Sequence, residues 1–214
     1  MVDTHHQNQK YHFIHIPKNA GTSIVKSLNR DVVSYLGHPG IQQLSKSMIP
    51  HDVKCFAVIR NPFSRLLSWF MYHKGSGNVN AKHLRHYLET ESFKQWVIEK
   101  NCFHSDEPQI NGYTCWLPDG VTDLYCQNNW IKNTAGITCK ILRYENLDEE
   151  WEKFRNEIQS EKLKIANKTT IQQGINYNKD DWRSHYDQET IDYVSNMPGV
   201  KEDMETFNYT FEED

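Results

Sequence analysis

Tyr11-His12-Phe13-Ile14-His15-Ile16, then Pro17-Lys18-Asn19-Ala20-Gly21, then Thr22 to Leu28, reads as a strand, a loop and a helix. Residues 11–16 are mostly aromatic and β-branched, side chains that suit an extended pleated backbone, and Pro17 and Gly21 punctuate the turn that follows. The same order recurs further on. Cys55-Phe56-Ala57-Val58-Ile59 is an unbroken apolar run of strand length, the pattern of a parallel strand covered on both faces. Arg60-Asn61-Pro62 ends it, and Leu66, Leu67, Phe70 and Met71 then recur at three- and four-residue spacing, which predicts a helix from near Pro62. A third strand is expected over Ile137 to Leu142, with Asp148 placed to cap a helix carrying Trp151, Phe154 and Ile158. Repeated strand-then-helix units predict an α/β fold with a parallel central sheet flanked by helices. Such sheets bind ligands at the carboxyl ends of their strands, where the first two loops fall. Between Ser92 and Trp130 the pattern is less regular: Phe93, Trp96 and Val97 suggest a helix, and Pro108, Gly112, Pro118 and Gly120 mark loops. We expect this stretch to be ligand-side or covering structure.

No internal repeat, low-complexity tract or long Pro/Gly/Ser-rich linker divides the 214 residues. The expected organisation is a flexible, polar, His-rich segment over residues 1–10 and a single domain over 11–214. With 24 basic against 28 acidic residues the net charge is −4, which argues against nucleic acid as a partner. A local basic pocket is compatible with that balance, because an anion site needs only a few residues. Neither an apolar leader nor a run of 18 apolar residues occurs, so no membrane segment is expected. The five cysteines, Cys55, Cys102, Cys115, Cys126 and Cys139, are odd in number and lack a C-x-x-C pair. They read as reduced thiols of a cytoplasmic protein. The alternative is a luminal catalytic domain lacking its membrane anchor, in which Asn167-Lys168-Thr169 and Asn208-Tyr209-Thr210 would be glycan acceptors.

The first loop carries the parts of an anion site. Small Ala20 and Gly21 allow close backbone approach, the following helix offers free N–H groups, Lys18 adds a charge, and Thr22 and Ser23 add hydroxyl donors. It is not a nucleoside-triphosphate loop of the form G-x-x-x-x-G-K-[ST], because Lys18 precedes Gly21. The second loop, Arg60-Asn61-Pro62-Phe63-Ser64-Arg65-Leu66-Leu67-Ser68, sets a guanidinium at a strand end and a hydroxyl two turns into a helix. Arginine binds phosphate bidentately, with charge-assisted bonds stronger than neutral ones. A ligand with two separate anionic ends accounts for both loops together.

Phe13-Ile14-His15-Ile16-Pro17-Lys18-Asn19-Ala20-Gly21-Thr22-Ser23 resembles the F-I-H-I-P-K-T-A-G-T-S signature that opens the carbohydrate (type 2) sulfotransferases, which use 3′-phosphoadenosine 5′-phosphosulfate (PAPS). Arg60 to Ser68 is similar to that family's R-[ND]-P-x-x-R-x-x-S motif. Arg143-Tyr144-Glu145-Asn146-Leu147, Asn167-Lys168-Thr169, Tyr186-Asp187-Gln188-Glu189-Thr190 and Asp203 to Tyr209 look like its later motifs. Asn19 departs from the usual Thr and Asn208 from the usual Gly. The resemblance implies a P-loop-NTPase-like sulfotransferase fold and transfer of a sulfuryl group from PAPS to an acceptor hydroxyl, without a metal. It implies that Lys18, Asn19, Ala20, Gly21, Thr22 and Ser23 hold the 5′-phosphosulfate, and that Arg60 and Ser68 hold the 3′-phosphate.

Sulfuryl transfer requires a base for the acceptor proton, and a pKa near neutrality suits the task. Among 11 histidines, His38 lies between the two loops in Gly37-His38, where the family's G-H motif supplies the base. His51 and Glu145 are the alternatives. Lys18 is the catalytic cation expected at the leaving oxygen. The implied partner is a saccharide hydroxyl or a small hydroxylated molecule. The competing readings are a P-loop nucleotide kinase, against which the position of Lys18 counts, and a noncatalytic nucleotide- or glycan-binding module.

Overall fold

The computed structural model describes residues 10–35, 37, 53–75, 92–98, 126–132, 138–164 and 179–213. They fall into two compact units, one holding the described residues up to 60 and those within 127–164, the other holding the described residues within 61–126 and 179–213. Among the described residues no helix is long and apolar enough to cross a membrane.

The first unit holds an α/β core. Its strands are β1 (Tyr11–Ile14), β2 (Val33–Ser34), β3 (Lys54–Ile59) and β4 (Cys139–Arg143), all parallel in the order β2-β1-β3-β4, and helices flank the sheet. β1 pairs with β3 from Tyr11↔Lys54 to Ile14↔Ala57, and β3 with β4 from Cys55↔Cys139 to Ile59↔Arg143. Alternation along these strands puts Tyr11, Phe13, Phe56, Val58 and Leu142 on one face. There they join Ile24 and Leu28, from α1 (Gly21–Ser27) and its end, and Trp151 and Phe154 of α5 (Leu147–Arg155) in one apolar cluster. Phe56 meets Phe154 edge-on at 5.0 Å and Phe13 stacks on Phe56 at 5.0 Å. The opposite face, with Ile14, Cys55, Ala57 and Ile59, is buried too, as the unbroken apolar run of β3 predicts. Burial pushes the Cys55 thiol up to about 12, so it is an inert core group.

His12 belongs to that second face and is fully buried. Its Nδ1 lies 2.6 Å from the Ser34 hydroxyl, which itself donates to the Tyr11 carbonyl. Nε2 has no hydrogen-bond partner among the described residues, so the neutral tautomer that carries its proton on Nδ1 and donates to Ser34 is the one that leaves no buried N–H unpaired. Burial lowers the His12 pKa to about 4.

Several boundaries differ from the sequence reading: the first helix is Gly21–Ser27 rather than Thr22 to Leu28, and the helix Leu147–Arg155 ends before Ile158. β1 stops at Ile14 rather than Ile16, because the Ile16 N–H turns back to the Ile14 carbonyl in a tight turn ahead of Pro17. β4 runs on to Arg143, and its ladder continues through the Tyr144 N–H to the Ile59 carbonyl at 2.8 Å. Asp148 does not cap α5. The turn closed by Leu147 N–H on the Tyr144 carbonyl starts the helix earlier, at Asn146, and leaves Asp148, Glu149 and Glu150 within the first turn, where their charge suits the helix dipole.

The second unit contains α2 (Pro62–Gly75), α3 (Phe93–Ile98), a 3₁₀ segment (Lys179–His185), α6 (Gln188–Ser195) and α7 (Pro198–Phe207). Asn61 caps α2 through its Oδ1, which accepts from the Phe63 N–H, and Pro62 occupies the first helical position. Phe63 is enclosed by Trp182, Tyr186 and Phe211, and the Tyr186 hydroxyl donates to its carbonyl at 2.8 Å. Asp187 caps α6 by accepting from the Thr190 N–H and hydroxyl; Lys94 beside it, with those Thr190 bonds, holds its carboxyl well below the usual range. The Tyr186 to Thr190 motif is thus structural in its contacts. Asn208 ends α7 at φ 55°, a left-handed position that glycine fills most easily and Asn tolerates, which accounts for Asn at that site.

Candidate functional site

β1 and β3 are adjacent and parallel, so the loops that leave their carboxyl ends emerge on one edge of the sheet. The first, between β1 and α1, contains two of the four non-glycine residues at positive φ among the described residues: Lys18 at 71° and Ala20 at 60°. Each left-handed L-residue costs about 1–2 kcal/mol, and such strain persists only where the surroundings enforce it. Ala20 caps α1 with its backbone alone: its carbonyl accepts from the Ser23 and Ile24 N–H groups, and no side chain caps the helix. Lys18 is half-buried, Thr22 is exposed and Ser23 is buried. No acidic side chain stands in the first turn of α1 to oppose an incoming anion.

What enforces this loop is a buried amide network. Asn19 is 1% exposed, and its Nδ2 donates to the Val58 carbonyl at 2.7 Å and to Gln127 Oε1 at 2.6 Å. Gln127, at the start of α4 (Asn128–Ile131), is fully buried; its Oε1 also accepts from the Arg60 N–H at 2.9 Å and its Nε2 donates to the Arg60 carbonyl at 2.8 Å. It reads the Arg60 main chain as a neighbouring strand would. The Arg60 side chain lies over the Tyr144 ring, 4.2 Å from its centroid, and its Nη1 donates to the Lys18 carbonyl at 3.3 Å. Lys18 and Arg60, assigned to opposite ends of one ligand by the sequence, are therefore linked directly through the Lys18 carbonyl. The ring and the carbonyl together fix the orientation of the guanidinium.

Gly21 has a packing role that the sequence reading assigned to ligand approach. A Cβ on Gly21 would fall inside the imidazole of His15, which is buried, stacked on Phe13 at 5.7 Å and joined through Nδ1 to the Tyr35 hydroxyl at 2.9 Å. Burial raises the Tyr35 pKa, with Arg30 opposing. We expect Gly21→Ala to cost about 1–3 kcal/mol through overpacking. Chemical denaturation of Gly21→Ala and of the Gly21→Ala, His15→Ala double variant tests this: the second change should restore part of the loss, and an undisturbed single variant would contradict the packing.

Ser68 lies half-buried in the second turn of α2, within the other unit. His38 and His51 lie outside the described residues, although Gly37, just before His38, takes φ 92°, where only glycine is unstrained. Glu145 sits in the turn after β4, half-buried. Gln127 escaped the sequence reading because nothing in Cys126-Gln127-Asn128 forms a motif, and it is 67 residues from Arg60 and 108 from Asn19. Tyr144 was visible only as part of a motif, without a role. Compared with family models, curated proteins and solved structures, the chain matches none.

Proposed function

We propose that this chain is a sulfotransferase of P-loop-like fold that moves a sulfuryl group from PAPS to a hydroxyl, on a saccharide or a small hydroxylated molecule. The observation that carries the reading is the joining of Arg60 to the strained Lys18 loop at the carboxyl ends of neighbouring strands, since the two motifs are those expected to hold the 3′-phosphate and the 5′-phosphosulfate. The acceptor oxygen attacks sulfur as the bond from sulfur to the bridging phosphate oxygen breaks, and the products are a sulfate ester and adenosine 3′,5′-bisphosphate. Lys18 neutralises the charge gained by the leaving oxygen, and backbone N–H groups of the loop hold the phosphosulfate oxygens. Arg60 holds the 3′-phosphate, whose charge is unchanged during the reaction. By the family resemblance His38 accepts the acceptor proton.

Thermal unfolding with adenosine 3′,5′-bisphosphate and with ATP tests the donor class. At a hundred times its dissociation constant the bisphosphate should add about 2.7 kcal/mol of stability. ATP, which has no 3′-phosphate, should add much less at equal concentration. Equal stabilisation by both would refute the role of Arg60, and transfer of radiolabelled sulfate to a panel of glycans and small alcohols then identifies the acceptor.

A further inference from the structure

We propose that Gln127 is the positioning residue that makes the two anion-binding loops act as one site for a two-ended ligand, an inference that rests on the PAPS reading above. Three buried contacts converge on its amide. Its Oε1 accepts from Asn19 in the first loop and from the Arg60 N–H in the second, while its Nε2 donates to the Arg60 carbonyl, at 2.6, 2.9 and 2.8 Å. Asn19 continues the connection into β3 through the Val58 carbonyl. Within this network neither loop shifts without breaking a buried hydrogen bond, and a buried polar group left unpaired is costly.

The consequence is chemical rather than merely structural. A ligand held at one end by the Lys18 loop and at the other by Arg60 gains from a fixed spacing, because ordering the site is completed before it binds. A ligand carrying only one of the two anionic groups gains nothing from that spacing. Gln127 touches neither end; it acts through Asn19 and the Arg60 backbone. Asn in place of the family's usual Thr at position 19 supplies the two-proton donor that reaches Val58 and Gln127 together.

The test compares the affinities of adenosine 3′,5′-bisphosphate, adenosine 5′-monophosphate and adenosine 3′-monophosphate in the parent and in Gln127→Leu, which keeps most of the volume and loses the amide. The bisphosphate should bind about tenfold more weakly to Gln127→Leu, while each monophosphate changes less than about twofold. Gln127→Met, which also keeps most of the volume and loses the amide, should give the same selective loss and serves if Gln127→Leu does not fold. A uniform loss for all three ligands would mean that Gln127 only supports the fold, and unchanged bisphosphate affinity would mean that the loops are not coupled through it; either overturns the inference while the PAPS reading stands. A folded parent that fails to bind the bisphosphate overturns that reading, and this inference with it.

Discussion

Lys18→Ala is expected, under the sulfuryl transfer proposed above, to lower turnover at saturating PAPS by about 10²–10³, with much less change in the affinity for adenosine 3′,5′-bisphosphate. The phosphates of the donor are charged before and after the reaction, but the bridging oxygen gains its charge only as the bond to sulfur breaks. A cation beside that oxygen therefore acts chiefly on the transition state. The fold should survive, because the Lys18 carbonyl that accepts from Arg60 belongs to the backbone and is retained. Lys18→Gly sharpens the test. At φ 71° glycine relieves the strain of a left-handed L-residue, so this variant should be at least as stable as Lys18→Ala and equally slow. Parent-like turnover in either variant would remove Lys18 from the chemistry.

The largest expected effect on stability comes from His12. Its pKa falls from 6.5 to about 4 on burial, so between these values the unfolded chain binds a proton that the folded chain refuses. Stability is therefore full above pH 6.5 and declines as the pH falls toward 4, by about 3 kcal/mol from this residue alone. The structural cause is explicit: protonation would place a second N–H at Nε2, in a buried position with no acceptor among the described residues. His12→Asn keeps a donor for the Ser34 hydroxyl and cannot titrate. Urea unfolding of both proteins at pH 7 and pH 4 should show a smaller acid loss in the variant by about that amount. Parallel losses would show that His12 is not excluded from protonation.

Much of the α/β core was legible because it is written in local pattern. β3 is a run of apolar residues, α2 opens at Pro62, and α3 falls on Phe93, Trp96 and Val97, each an arrangement whose physics is complete within a few neighbours. The limits of elements were less legible, as at α5. Whether Asp148 or Asn146 starts that helix depends on the turn that leaves β4, and the ladder to β3 helps set that turn. The positions of Lys18 and Arg60 in strand-to-helix loops were also legible, and in the structure those loops leave the carboxyl ends of two neighbouring parallel strands.

By itself, then, the sequence determined that parallel strands feed helices and that basic loops lie at the strand ends, because backbone preference and hydrophobic period act over neighbouring residues. Tertiary structure decided how that edge is held. The Arg60 guanidinium rests on Tyr144, Gly21 yields its space to His15, and Gln127 ties Asn19 to Arg60. Each of the first and last of these joins residues that are dozens of positions apart, and even the His15 contact requires the chain to reverse through two left-handed residues. Hydrogen bonding and packing of this kind depend on which groups the finished fold leaves buried together, and no local pattern encodes that.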